Sequence, residues 1–310
     1  MAKRSLSHRF RETAGDLLSD VLIDLNKRNK ENLHSLSQHY TNFKNQRTCE
    51  CILLLIKELR LDPLVGYHAM ELLQRFMVKH LTDVLTSTTL RAAAADRRFE
   101  DAVFDKIKDK FPVLVFACVQ LASKLFSIED VITNMAAVHF LHTAGLSVSK
   151  QTLQETEMMI LKALDFRLNT PNPLTYIELL LEVLGHNESS VPVEELYDLC
   201  HHVLQFVSLD RAAVYDSLLK MTTRCNCPSR EQREKFVTVT EDCMLLGVGV
   251  IAVATFTHSV RIWAKVVEEL SHITGISSKS IRDFTHVILV HIVRPSSPAT
   301  PGRVLMTHTY

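Results

Sequence analysis

Glycine and proline are scarce, with 8 and 9 residues in a chain of 310, against roughly 7% and 5% in an average protein. Turn formers this rare argue against many-stranded sandwiches and barrels and favour long helices with short connections. Collagen-like and low-complexity readings fall with them. Net charge is also missing, because 35 basic residues face 35 acidic ones. Binding of nucleic acid through overall charge is disfavoured, although a local basic patch is not. The nearest approach to a membrane segment, CMLLGVGVIAVATF (243–256), has 14 residues, where a span takes about 20. It reads as a buried core helix. The seven cysteines (49, 51, 118, 200, 225, 227, 243) are odd in number and follow no apolar leader, so reduced thiols are expected. The basic start, MAKRSLSHRFR, superficially suits a presequence, but acids at 12, 16, 20 and 24 interrupt that pattern.

What is present is helical rhythm. Residues 1–44 form a polar extension with one amphipathic stretch, DLLSDVLIDL (16–25), expected to dock as a helix on whatever follows. Asp62-Pro63 ends an apolar element that begins at Cys51. From Gly66 to His80, residues Ala69, Met70, Leu73, Phe76 and Met77 fall within an arc of about 120°, opposite His68, Glu71, Arg75 and Lys79. That predicts a helix with one buried side. Residues 86–110 read as a solvated helical insertion or connector, and Pro112 opens VLVFACVQLASKLF, apolar nearly all round except for Gln120 and Lys124 on one edge. Ser149 is positioned to cap a helix over 151–164.

NTPNP (169–173) is the clear linker, since Pro171 and Pro173 disfavour helix locally. Beyond it lie PLTYIELLLEVLG, a helix opened by Pro192, the loop CNCPSR, the apolar helix 243–256, and a final pair broken at Gly275 and capped near Ser277. The expectation is all-α: two helical units of similar length, each built around one apolar helix (113–126 and 243–256), with a flexible tail over 295–310. Ser297-Pro298 and Thr300-Pro301 in that tail are minimal proline-directed phosphorylation sites.

Linear motifs supply little chemistry. Cys49-x-Cys51 and Cys225-x-Cys227 lack the spacing of a zinc module, and His139, His142, His201 and His202 lack an HExxH context. Gly247-Val-Gly249-Val-Ile-Ala252 imitates a dinucleotide fingerprint, but no strand precedes it, and close helix packing explains it better. No GxSxG, P-loop, kinase signature or triad-like grouping appears. A non-enzyme without cofactor or metal is therefore expected. One residue breaks a local rule: Glu157 lies about 40° from the direction shared by Leu153, Ile160 and Leu164, inside the apolar stripe. A carboxylate there either closes an internal salt bridge or, with the edge cation Lys124, makes a polar contact pair for a partner protein.

These residues resemble a cyclin. ELLQRFMVKH (71–80) is similar to the second cyclin-box helix, FACVQLASKL (116–125) to the third and central one, and QETEMMILKALDFRLNTPNPLTYIELLL (154–181) to the fifth with its exit into a second lobe. The resemblance implies two tandem cyclin-like five-helix domains, with 45–168 as the cyclin N-terminal domain and 174–294 as a second, more diverged one. In that family the ASK lysine and the glutamate opening the ExxIL helix bind a kinase; here they are Lys124 and Glu157.

The similarity extends to a meiotic member of the family, through YHAMELLQRFMVKH, CVQLASKL, LLEVLG and EKFVTVTEDCMLL. It implies a non-catalytic protein, nuclear and on meiotic chromosomes, also cytoplasmic, that promotes maturation of recombination intermediates into crossovers. The implied partners are a cyclin-dependent kinase and recombination and clamp-loader proteins, without direct nucleic-acid or membrane contact. Leu125 and Phe126 stand where typical cyclins carry an acidic pair, Gln74 stands for an aspartate, and NQRTCECILLL lacks the first-helix MRAIL patch. Two other readings are a kinase-regulatory subunit in cell-cycle control and, from another class, a tandem cyclin-fold transcription factor that binds DNA.

Overall fold

The computed structural model describes residue 10 and residues 15–36, 43–89, 97–126 and 131–294, with backbone alone at 35, 81, 84–89 and 97–107. The tail with its two phosphorylation dipeptides lies outside the described residues. Thirteen helices and no strand occur among them: α1 (Gly15–Ser35), α2 (Gln46–Glu58), α3 (Pro63–Thr89), α4 (Arg97–Phe126), α5 (Asn134–Thr143), α6 (Lys150–Ala163), α7 (Pro173–Asn187), α8 (Val193–Leu209), α9 (Arg211–Thr223), α10 (Arg230–Thr240), α11 (Cys243–His258), α12 (Val260–Thr274) and α13 (Ser278–Val293). They form two compact units, Thr41–Thr170 and Met1–Tyr40 with Pro171–Arg294.

In the unit Thr41–Thr170, α4 is the axis. Phe116, Ala117, Cys118 and Val119 are completely buried, because a helix apolar on every side needs neighbours on every side. α2, α3 and α6 supply them. Local chemistry sets the starts of the surrounding helices: Asn45, Thr133 and Ser149 accept from the backbone N–H groups of Thr48, Ala136 and Thr152.

Three sequence expectations change here. Asp62-Pro63 starts α3 rather than ending α2, since the Asp62 carboxylate accepts from the Leu64 N–H at 2.8 Å and Pro63 is the first helical residue. Pro112 lies inside α4 and does not open it; one missing backbone donor is tolerated where the following turns are locked into the core. Nor does α3 have a single buried side. His68 is buried, with its ring stacked on Phe126 at 3.4 Å between centroids. Glu71 pairs with Lys44 at 2.8 Å, and Arg75 donates to Thr170 Oγ1 at 2.6 Å. Segments flanking α2 and α6 cover a face that angle counting leaves to water. Burial pushes His68 down from 6.5 to about 4, so its imidazole is neutral at pH 7 and packs as an aromatic.

In the other unit α11 is the axis, with every residue from Leu246 to Thr255 buried. α7, α8, α12 and α13 surround it. The glycines of the false fingerprint are close-approach points: a Cβ on Gly249 would meet Phe284 Cδ1 at 2.5 Å, and one on Gly247 would meet Leu180 Cδ1 at 3.1 Å. Asn172 and Ser229 form capping boxes for α7 and α10, and Ser277 caps α13. Pro173 is the first residue of α7, where a proline needs no N–H partner. Gly275 ends α12 at φ +73°.

The amphipathic α1 packs on α7 and α11, burying Leu18 and Leu25. Its Asn29 bridges the start of α11, donating to Asp242 Oδ1 at 2.8 Å and accepting from the Cys243 N–H at 3.2 Å. All seven cysteines are free thiols, and burial pushes those of Cys118 and Cys200 upward. No single described helix is long and apolar enough to cross a membrane.

The packing predicts that Gly249→Ala destabilises the protein by about 1–3 kcal/mol, the ordinary penalty of overpacking against a rigid ring. Gly247→Ala, facing a leucine methyl, should cost less; urea denaturation of both variants measures the difference.

Candidate partner-contact site

The polar edge of α4 divides into a spent part and an open part. Gln120 and Ser123 are fully buried. The Gln120 amide donates to Ile132 O at 3.1 Å and Asn134 Oδ1 at 2.7 Å, while Ser123 Oγ accepts from the Ile132 N–H at 3.2 Å. Together they fasten the entry of α5 to α4. Lys124 is one residue further on, near the helix end, and its side chain stays 33% exposed.

Glu157 comes from α6, in line with the fully buried Leu153 and Ile160 and 8% exposed itself. Its Oε1 accepts from Lys124 Nζ at 2.5 Å. The structure therefore brings the two predicted site residues together. A carboxylate at such a position loses most of its hydration, and a directly bonded ammonium compensates. The pair is a salt bridge with one side open, electrically neutral as a unit and able to offer its remaining donors and lone pairs outward.

Sequence reasoning singled out two charges and missed their apolar setting. Leu125, next to Lys124, is 47% exposed, and Met158, next to Glu157, is exposed as well. Past the end of α6, Asp165 and Phe166 both take left-handed backbone conformations (φ +50° and +58°), and Phe166 is 62% exposed. Two consecutive residues with side chains in that region store strain of order 1–3 kcal/mol each. Hydrogen bonds from Phe166 N to Leu161 O and from Arg167 N to Leu164 O, both 2.9 Å, hold the turn. Periodicity carries no signal for a large ring placed in water by a strained turn.

The substituted positions are settled parts of the structure. Phe126 packs on His68. Gln74 is buried and accepts from the Phe43 N–H at 2.7 Å.

One grouping that linear motifs do not contain is assembled by the fold. His291 of α13 contacts Asp210 Oδ2 through Nδ1 at 2.8 Å and Ser217 Oγ through Nε2 at 2.9 Å, the order of a nucleophilic triad. Ser217, however, sits inside α9, where backbone N–H groups are committed to the helix and cannot stabilise an oxyanion. The arrangement ties α13 to the start and middle of α9.

Residues 18–169 match the family model for the N-terminal domain of cyclins. The chain belongs to the cyclin family. The matched region takes in the five helices α2–α6, of which α4 is the axis, and extends back to include most of α1. The similarity continues beyond this domain. The chain is 36% identical to mouse cyclin N-terminal domain-containing protein 1 over 285 residues, 91% of this chain and 85% of the mouse protein. The human protein of that name is 37% identical over 296 residues, 95% of this chain and 89% of its own length.

The geometry of the pair predicts a double-mutant cycle. Lys124→Met leaves Glu157 uncompensated and should cost about 1–3 kcal/mol. Adding Glu157→Gln should restore most of that loss, read as coupling between the two positions in urea unfolding.

Proposed function

We propose that this cyclin-family chain is a non-catalytic regulatory and scaffold protein that promotes maturation of meiotic recombination intermediates into crossovers through protein–protein contacts. It acts in the nucleus, on meiotic chromosomes, with a cytoplasmic pool. The observation that carries this reading is the extent of the similarity to cyclin N-terminal domain-containing protein 1, which runs through both helical units. Recombination and clamp-loader proteins are the proposed partners, with direct nucleic-acid binding left out.

A second reading, a regulatory subunit of a cyclin-dependent kinase in cell-cycle control, draws support from one specific feature. Lys124 and Glu157 are bonded to each other at the open edge of α4, with exposed Leu125 and Met158 beside them. Such a neutral pair with apolar neighbours suits a protein surface that buries apolar area while matching a few polar groups. In this reading the kinase contact is made there.

The test is mass spectrometry of proteins co-purified from meiotic tissue with the native chain and with the Lys124→Glu/Glu157→Lys double reversal. The double variant keeps opposite charges at the two positions but exchanges their places, and circular dichroism checks that the fold is retained before the partner lists are compared. Loss of a kinase with recombination proteins retained assigns the pair to the kinase alone. Loss of recombination proteins places the pair in the meiotic assembly. An unchanged partner list would refute the contact role of the pair, and a list without recombination proteins from either chain would refute the meiotic reading.

A further inference from the structure

Arg75 lies on the covered polar face of α3 and is half-buried. A guanidinium withdrawn from water ordinarily pairs with a carboxylate. This one donates instead through Nη1, at 2.6 Å, to the neutral hydroxyl of Thr170, the last residue of the unit Thr41–Thr170. Glu71, one turn back on α3, is bonded to Lys44 at 2.8 Å. Burial holds the Arg75 guanidinium below the usual arginine value; Glu71 opposes that, and the charge of Arg167 adds to it. Arg167 is exposed, three residues before Thr170 and just past the left-handed turn at Asp165 and Phe166. Among the described residues neither arginine is bonded to a carboxylate. Three cations, Lys44, Arg75 and Arg167, stand against one carboxylate, Glu71, which leaves two positive charges in excess.

The hydroxyl in this setting is followed by proline. Thr170-Pro171 is the one Ser-Pro or Thr-Pro step among the described residues. From Arg167 to Asn172 the chain is neither helix nor strand, and a proline holds the residue before it in extended backbone, the form in which a kinase takes up its substrate. Asn169 is exposed, and Thr170 and Pro171 are half-buried; Asn172, the buried cap of α7, bounds the segment. The Thr170 hydroxyl becomes available when its single bond to Arg75 opens. A phosphate on it carries about −1.5 to −2 charge at pH 7, which matches the excess that Arg75 and Arg167 leave uncompensated.

We propose that Thr170 is a phosphorylation site for a proline-directed kinase and that Arg75 and Arg167 receive the phosphate. Thr170 Oγ1 attacks the γ-phosphorus of ATP held by the kinase. The bond from that phosphorus to the β–γ bridging oxygen breaks, ADP leaves, and the hydroxyl proton passes to a base of the kinase. The product replaces one hydrogen bond to a neutral hydroxyl by charge-assisted bonds from two guanidinium groups. It fastens to α3 the point where the chain leaves the unit Thr41–Thr170. The site uses neither Lys124 nor Glu157 and stands whatever partner that pair binds.

The experiment incubates the full-length chain carrying Ser297→Ala and Thr300→Ala, so that Thr170-Pro171 is the one such step left, with a purified mitogen-activated kinase and ATP. Peptide mass spectrometry should find phosphate on Thr170, and adding Pro171→Ala should lower its yield about tenfold or more. Absence of phosphate from Thr170 would overturn the modification site, and an equal yield from the Pro171→Ala chain would overturn its direction by proline. Phosphorus NMR then reads the reception. An unpaired phosphothreonine loses its second proton near pH 6; cationic neighbours favour the dianion, so in the phosphorylated chain the midpoint should lie lower by about 0.5 or more. Arg167→Gln, a change at an exposed position, should move it back toward about 6. A midpoint near 6 in the phosphorylated chain, or one that Arg167→Gln leaves unchanged, would overturn the reception by the two arginines.

Discussion

Two stretches of this chain, Leu114–Ala122 in α4 and Leu246–Thr255 in α11, are buried on every side, and that constraint organises each unit. A helix with no polar face has to be enclosed, so the amphipathic helices have one way to lay their stripes down. Close approach follows, and glycine is retained at 247 and 249 where Leu180, Tyr176 and Phe284 come within contact of the α11 backbone. It also explains why Pro112 does not end α4: the turns beyond it are fixed by packing rather than by the single hydrogen bond it omits.

An enclosed axis makes its polar exceptions informative. The Gln120 amide nitrogen and the Ser123 hydroxyl fasten the entry to α5, while Lys124 emerges at the rim and meets Glu157. Each half of the pair depends on the other, since the carboxylate projects from a buried stripe and the ammonium supplies its compensation. Leu125 and Met158, their neighbours in sequence, face water, as does Phe166 on a strained turn past the end of α6. In the contact role proposed above, a neutral pair beside exposed apolar side chains discriminates between partners without large charge.

Much of this was written locally and is legible as such. The caps at Ser149 and Ser277 and the break at Gly275 depend on residues within a turn of each other, and the two glycines of α11 are legible as packing points because small residues in an apolar helix leave room for a neighbour. Glu157 is legible because a charge inside an apolar stripe demands a partner, and Lys124 because it is a cation on an otherwise apolar edge. What periodicity could not reach depends on segments distant in sequence. The polar face of α3 is covered by Lys44, Thr170 and Phe126; α1 meets α7 and α11 rather than the residues that follow it; and Ser217, His291 and Asp210 converge only when α13 folds against α9. Phe166 is hidden for a different reason, since its exposure comes from backbone conformation and not from pattern.

Enclosure on every side makes the two axes the last parts of the molecule to open. Native-state hydrogen exchange, followed residue by residue with added denaturant, measures this directly. Amides of 114–123 and 246–255 should exchange only through global unfolding, while those of α10, which has no buried residue, should exchange through local opening. Exchange of 114–123 as fast as that of α10 would contradict the account, because Lys124 and Glu157 would then have no fixed frame.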